Sequence, residues 1–154
     1  MLLTALTVVH VAISLIGIAA GLIVLYGFFT SKRLDGWTSL FLWTTVATSV
    51  TGFFFPFHGI TPGIVVGVLS LIVLALAFRA RNRWRKTYVI SAMIALYFNV
   101  FVLVVQLFEK VPALEALAPT QSEPPFKIAQ GVVFGMFLVF TIGAVMKYEE
   151  PQAS

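Results

Sequence analysis

The run LLTALTVVHVAISLIGIAAGLIVLYGFF, Leu2 to Phe29, decides the fold class, because it carries no charged residue over its whole length. About 20 consecutive apolar residues make a helix long enough to cross a bilayer. His10 and Ser14 are its notable polar groups. Working outward, four more stretches have the same character: about 39–57, 62–78, 87–108 and 125–146. The second of them is rich in Thr and Phe. The segments between them are short. The reading is an all-α, five-helix integral membrane bundle forming one transmembrane domain over residues 1–154.

Composition agrees. Of the 154 residues 60% are hydrophobic and 10% charged, whereas soluble domains carry about 25% charged residues. Disordered chains are charge-rich and poor in aromatics, and this one is 14% aromatic. There is no cysteine, which excludes disulfides, thiolate metal sites and Cys nucleophiles. Leu2–Phe29 lacks a basic leader and is too long for a signal-peptide core, so it is expected to stay as an anchor helix.

The basic residues set an orientation. With the N-terminus outside, the inner segments hold Lys32, Arg33, Arg79, Arg81, Arg83, Arg85, Lys86 and Lys147, and the outer ones hold only Lys110 and Lys127. Eight against two places the N-terminus outside and the C-terminus in the cytoplasm. Trp37, Trp43 and Trp84 fall on the basic side, as an interfacial aromatic belt does. The run RARNRWRK, Arg79 to Lys86, reads as a topology determinant, with contact to anionic lipid headgroups as the sharper alternative. A loop this short between two spans excludes nucleic acid as a partner.

Helix-end signals follow. Thr61–Pro62 pairs an N-cap with Pro at the first helical position. Thr120 and Glu123 have capping-box spacing ahead of the last span. Pro112 to Ala118 predicts a short interfacial helical turn. In lipid, small residues and interhelical hydrogen bonds bring helices together, so the GxxxG pairs Gly17–Gly21, Gly63–Gly67 and Gly131–Gly135 are candidate packing sites. The stripes His10/Ser14/Gly17/Gly21, Thr45/Thr48/Ser49/Gly52 and Ala92/Ala95/Asn99/Val102/Gln106 are expected to face the bundle interior, because an unpaired polar group in hydrocarbon is costly.

Intramembrane polar groups are where function is sought, and the stronger ones lie toward the outer side. The spacing predicts a ligand pocket lined by His10, Ser14, Asn99, Gln106 and Gln130, rimmed by His58, Glu109 and Glu123, and roofed by the 109–124 loop. The plainer alternative is that these groups hydrogen-bond between helices and fix packing. A redox alternative makes His10 and His58 the axial ligands of one b-type haem. No catalytic residue and no other metal site is expected: no acid lies inside a span, and HExxH, GxSxG and P-loop motifs are absent. Membrane lipids, a homo-oligomer or a larger membrane complex are the expected partners.

Two runs carry a resemblance. FFFPFHGITP (Phe53 to Pro62) and VPALEALAPTQSEPPF (Val111 to Phe126), together with the opening HVAISLIGIAAG, resemble a family of small bacterial multi-spanning membrane proteins of uncharacterised activity. The resemblance implies a multi-pass protein of the bacterial cytoplasmic membrane and assigns no functional residue. A fainter likeness to four-helix di-haem cytochromes rests on His10 and the short basic loop SKRLDGW; the His pairs on facing helices that such proteins use are missing here. The number of spans also resembles that of the tryptophan-rich sensory proteins, without their Trp- and Pro-rich ligand motifs. The function expected is non-enzymatic: binding of a ligand or lipid, or service as an accessory subunit.

Overall fold

The computed structural model describes residues 1–56 and 59–148. These form six helices and, among the described residues, no strand: α1 Leu2–Phe29, α2 Asp35–Gly52, α3 Pro62–Ala80, α4 Arg85–Lys110, α5 Pro112–Leu117 and α6 Pro124–Lys147. Four of them, α1, α3, α4 and α6, are long and apolar enough to cross a membrane. Six helices are present among the described residues where five spans were expected. The additional one is the short α5, which falls on the 112–118 turn anticipated in the sequence. The second expected span, 39–57, becomes α2, which is too rich in Thr and Ser to count among the four.

The limits of α2 have local causes. It starts at Asp35, whose carboxylate suits the positive end of the helix dipole. It ends at Gly52, ahead of the turn that leads to Pro56, where the residue before proline is steered away from helix. Its hydroxyls do not need water. Thr44, Thr45, Thr48 and Thr51 donate to the carbonyls of Leu40, Phe41, Thr44 and Ala47 at 2.6–2.8 Å. Such i−4 bonds satisfy a hydroxyl inside its own helix. This lets α2 lie between apolar neighbours in spite of its composition.

The core is organised on α4, which touches each of the other five helices. Leu96, Val89, Met93, Ala92 and Ala95 of α4 meet Phe41 and Leu42 of α2 and Leu74 and Ala77 of α3, all essentially inaccessible. Small residues allow the close approaches. A Cβ on Gly21 would sit 2.6 Å from Leu96 Cδ1 and 3.0 Å from the Phe41 ring, and one on Gly17 would sit 3.0 Å from Thr44 Oγ1. Gly143 of α6 makes the same kind of room for the Phe29 ring, at 2.7 Å. The other two GxxxG pairs behave differently. Gly67 faces the Phe53 ring at 3.0 Å, while Gly63 has only the nearby Thr61 Oγ1 at 3.8 Å. Gly131 and Gly135 face open space.

At α6 the capping-box reading is also corrected. Thr120 is not the N-cap; Glu123 is. Pro124 and Pro125 fix the start, since proline is accommodated in the first helical turn and breaks a helix farther in. The Thr120–Glu123 hydrogen bonds form in the loop instead, one turn early. The Thr61 cap is present, with its hydroxyl accepting from the Ile64 N–H at 3.3 Å.

Candidate functional site

The expected lining residues are divided among separate seams. His10 belongs to the α1–α2 seam, where its Nδ1 lies 2.8 Å from Thr51 Oγ1. Thr51 is also within hydrogen-bond reach of the Ala47 carbonyl, at 2.7 Å. The imidazole also stands edge-on to Phe55, with ring centroids 5.1 Å apart. Ser14 turns back to the His10 carbonyl at 2.7 Å. Asn99 belongs to the α2–α4 seam and donates to Thr45 Oγ1 at 3.1 Å. Gln130 belongs to the α4–α6 seam and donates to the Phe101 carbonyl at 3.2 Å. Its Oε1 is buried without a partner among the described residues. Gln106 is exposed. His58, the second ligand of the haem alternative, lies outside the described residues. Among the described residues no group of three His, Asp or Glu side chains could hold a metal ion.

The rim gathers where the lining does not. The C-terminal end of α4, helix α5 and the loop after it enclose a groove of about 290 Å³ lined by Phe108, Glu109, Glu115, Pro119, Thr120 and Gln121. This is the loop expected to roof a pocket, and Glu109 is one of the expected rim residues. Gln121 holds the roof down: its backbone is left-handed, at φ 58°, and its Nε2 donates to the Val105 carbonyl at 3.0 Å. Glu123 supports the same loop, accepting from Thr120 Oγ1 at 2.8 Å and from the Thr120 and Ser122 N–H groups. The Thr120 hydroxyl is the main reason its carboxyl ionises below the usual range. Phe108 provides a buried apolar floor and stands edge-on to Phe126. The carboxylates of Glu109 and Glu115 are exposed at the groove. The groove's lining is largely polar and carries two exposed carboxylates, so it suits a small ligand with a positively charged or hydrogen-donating group. Glu115 and Gln121 were not legible as groove residues, because their place depends on how α5 folds back on α4.

The opposite, basic end carries a polar network that the sequence reading missed. Arg33 Nε pairs with Asp35 Oδ1 at 2.9 Å, and a second Arg33 nitrogen donates to Asn82. Arg81 donates to Ser39 Oγ at 3.1 Å and to the Asp35 carbonyl at 3.0 Å, and lies 3.5 Å from the Asp35 carboxylate. Arg85 donates to the carbonyls of Val145, at 2.9 Å, and Tyr148. Ser31 donates to the Lys147 carbonyl at 2.7 Å. Beneath this network Phe28 is packed edge-on against Tyr88 and Tyr148, at 5.7 and 5.0 Å. The enclosed cavity, bounded by Lys32, Arg33, Asp35, Thr38, Arg81 and Tyr88 among others, is about 10 Å³. That is about the volume one water needs, so this cluster is structural cross-linking and leaves no room for a ligand.

Fold and site together define a class: a helical bundle with four helices long and apolar enough to cross a membrane, cross-linked at one end and grooved at the other. Comparison with protein-family models, with curated proteins and with solved structures gave no match to this chain.

Proposed function

We propose that the chain is a non-enzymatic, ligand-binding multi-pass protein of the bacterial cytoplasmic membrane, with its N-terminus and groove outside and its basic end in the cytoplasm. The observation that carries this reading is the groove of about 290 Å³ between the end of α4 and the α5 loop. Its volume is close to the lower range of small-molecule sites. Two exposed carboxylates on a largely polar lining favour a small cationic ligand. Orientation rests on the eight-to-two split of basic residues.

The test is native mass spectrometry of protein purified in mild detergent, titrated with phenyltrimethylammonium as a cationic aromatic probe. The reading predicts a one-to-one adduct that Glu109→Gln/Glu115→Gln removes. An adduct that survives both substitutions, or no adduct at millimolar probe, would sink it.

A second reading, an accessory subunit of a larger membrane complex, is favoured by α6. Only 11% of its most apolar stretch is buried, against 39% for α4, and Gly131 and Gly135 leave a shallow open track along it. Small residues of this kind let a neighbouring helix come close. Co-purification of a stable partner that Gly135→Leu displaces would support this reading, and a monomer throughout would count against it.

A further inference from the structure

The hairpin between α3 and α4 divides its basic residues by direction. Arg81 and Arg85 turn inward, onto α2 and the end of α6 respectively. Arg79, Arg83 and Lys86 stay exposed, with no ion pair or hydrogen bond among the described residues. The one described acid at this end, Asp35, is already shared between Arg33 and Arg81. Glu149 and Glu150, which follow Tyr148 in the sequence, lie outside the described residues. Counting all three against the eight basic residues still leaves a positive surface.

The position of the hairpin identifies what meets it. It joins two helices that are each long and apolar enough to cross a membrane, so it sits at the depth where a span leaves hydrocarbon. Trp84, within the hairpin, is 47% exposed, and Trp37 in the first turn of α2 is also exposed. Exposed tryptophans at one end of a bundle mark the headgroup level. Three exposed cations without an ion pair among the described residues lie at that level.

We propose that Arg79, Arg83 and Lys86, with Trp84 beside them, form a docking surface for anionic phospholipid headgroups, while Arg81 and Arg85 hold the hairpin in the shape that presents them. This surface is independent of the groove at the other end. Each basic residue near an anionic surface contributes about five-fold in lipid preference, so three give on the order of 100-fold.

The experiment uses the full chain in nanodiscs of mixed phosphatidylcholine and phosphatidylglycerol. Both faces are then accessible whatever the orientation in the cell. Lipids retained after gentle release are counted by native mass spectrometry. Wild type is expected to retain phosphatidylglycerol in preference to phosphatidylcholine. Arg79→Gln/Arg83→Gln/Lys86→Gln is expected to lose that preference, and the charge-conserving Arg79→Lys/Arg83→Lys/Lys86→Arg to keep it. Should the triple Gln variant fail to fold, Arg83→Gln alone is expected to weaken the preference about five-fold. No preference in the wild type, a preference that survives the triple Gln substitution or is undiminished by Arg83→Gln, or its loss in the charge-conserving variant would each overturn the proposal. So would displacement of the lipid preference by an acidic protein partner that occupies the same residues.

Discussion

At the basic end, Ser31, Arg33, Arg81 and Arg85 join the ends of five helices; Ser31 and Arg85 do so through carbonyls that the C-terminal end of α6 leaves unpaired. At the opposite end single hydrogen bonds link neighbours in pairs: His10 to Thr51 and Gln121 to Val105. The first arrangement closes space down to about one water, and the second leaves a groove of about 290 Å³. The contrast teaches that polar residues near a membrane surface have two uses. Where guanidinium groups span from one helix to the next they act as staples, and where carboxylates stand exposed around a groove they leave a place for something else to bind.

Breaking the staple should have the largest effect. Arg85→Ala removes the donor to two carbonyls near the end of α6, and charged hydrogen bonds of this kind contribute about 2–3 kcal/mol. Thermal unfolding should show that loss, with α6 detaching first by hydrogen exchange at residues 141–148. A variant as stable as wild type would show that the network is incidental.

Packing comes next. Gly21→Ala places a methyl 2.6 Å from a buried Leu96 carbon, and overpacking of this sort costs about 1–3 kcal/mol. Gly135→Ala, whose site is open, should be neutral or slightly stabilising, since Ala is the better helix former. Equal losses in both variants, read as unfolding midpoints, would contradict the assignment of α1 to the core and of that face of α6 to lipid or a partner.

His10→Ala should cost less, on the order of 0.6 kcal/mol, the average for interhelical hydrogen bonds in membranes. A loss several times larger would give His10 a role beyond the α1–α2 seam.

The smallest effect concerns pH. The ionised Glu123 is favoured in the fold, so its contribution is fully present above the ordinary carboxyl value of 4.5 and is lost as pH falls through the lowered folded value. Amides of residues 119–123 should exchange faster in acid, and Glu123→Gln should remove that pH dependence. An acid-insensitive loop in the wild type would contradict the Thr120–Glu123 pairing.

Much of the bundle is legible in the chain because lipid imposes a strong length rule. The apolar run Leu2–Phe29 and helix α1 have the same limits, and α3, α4 and α6 extend the apolar runs by no more than two residues at either end. α2 is harder, since its Thr and Ser content lowers its hydropathy while i−4 bonding cancels the polarity. The site is legible in part. The 109–124 loop could be read as a roof, and Glu109 as part of a rim. Asn99, Gln106 and Gln130 could not be sorted, because each one's neighbour depends on which helix lies beside α4 or α6. The inward turn of Arg81 and Arg85 was hidden for the same reason: in RARNRWRK the arginines alternate evenly, and only the turn after Ala80 divides them.

Amide hydrogen exchange on the protein in nanodiscs compares the two ends most directly. The account predicts that residues 111–123, around the groove, exchange at least ten-fold faster than residues 30–35 and 81–85, which lie in the stapled loops. Equal rates, or slower exchange around the groove, would contradict it.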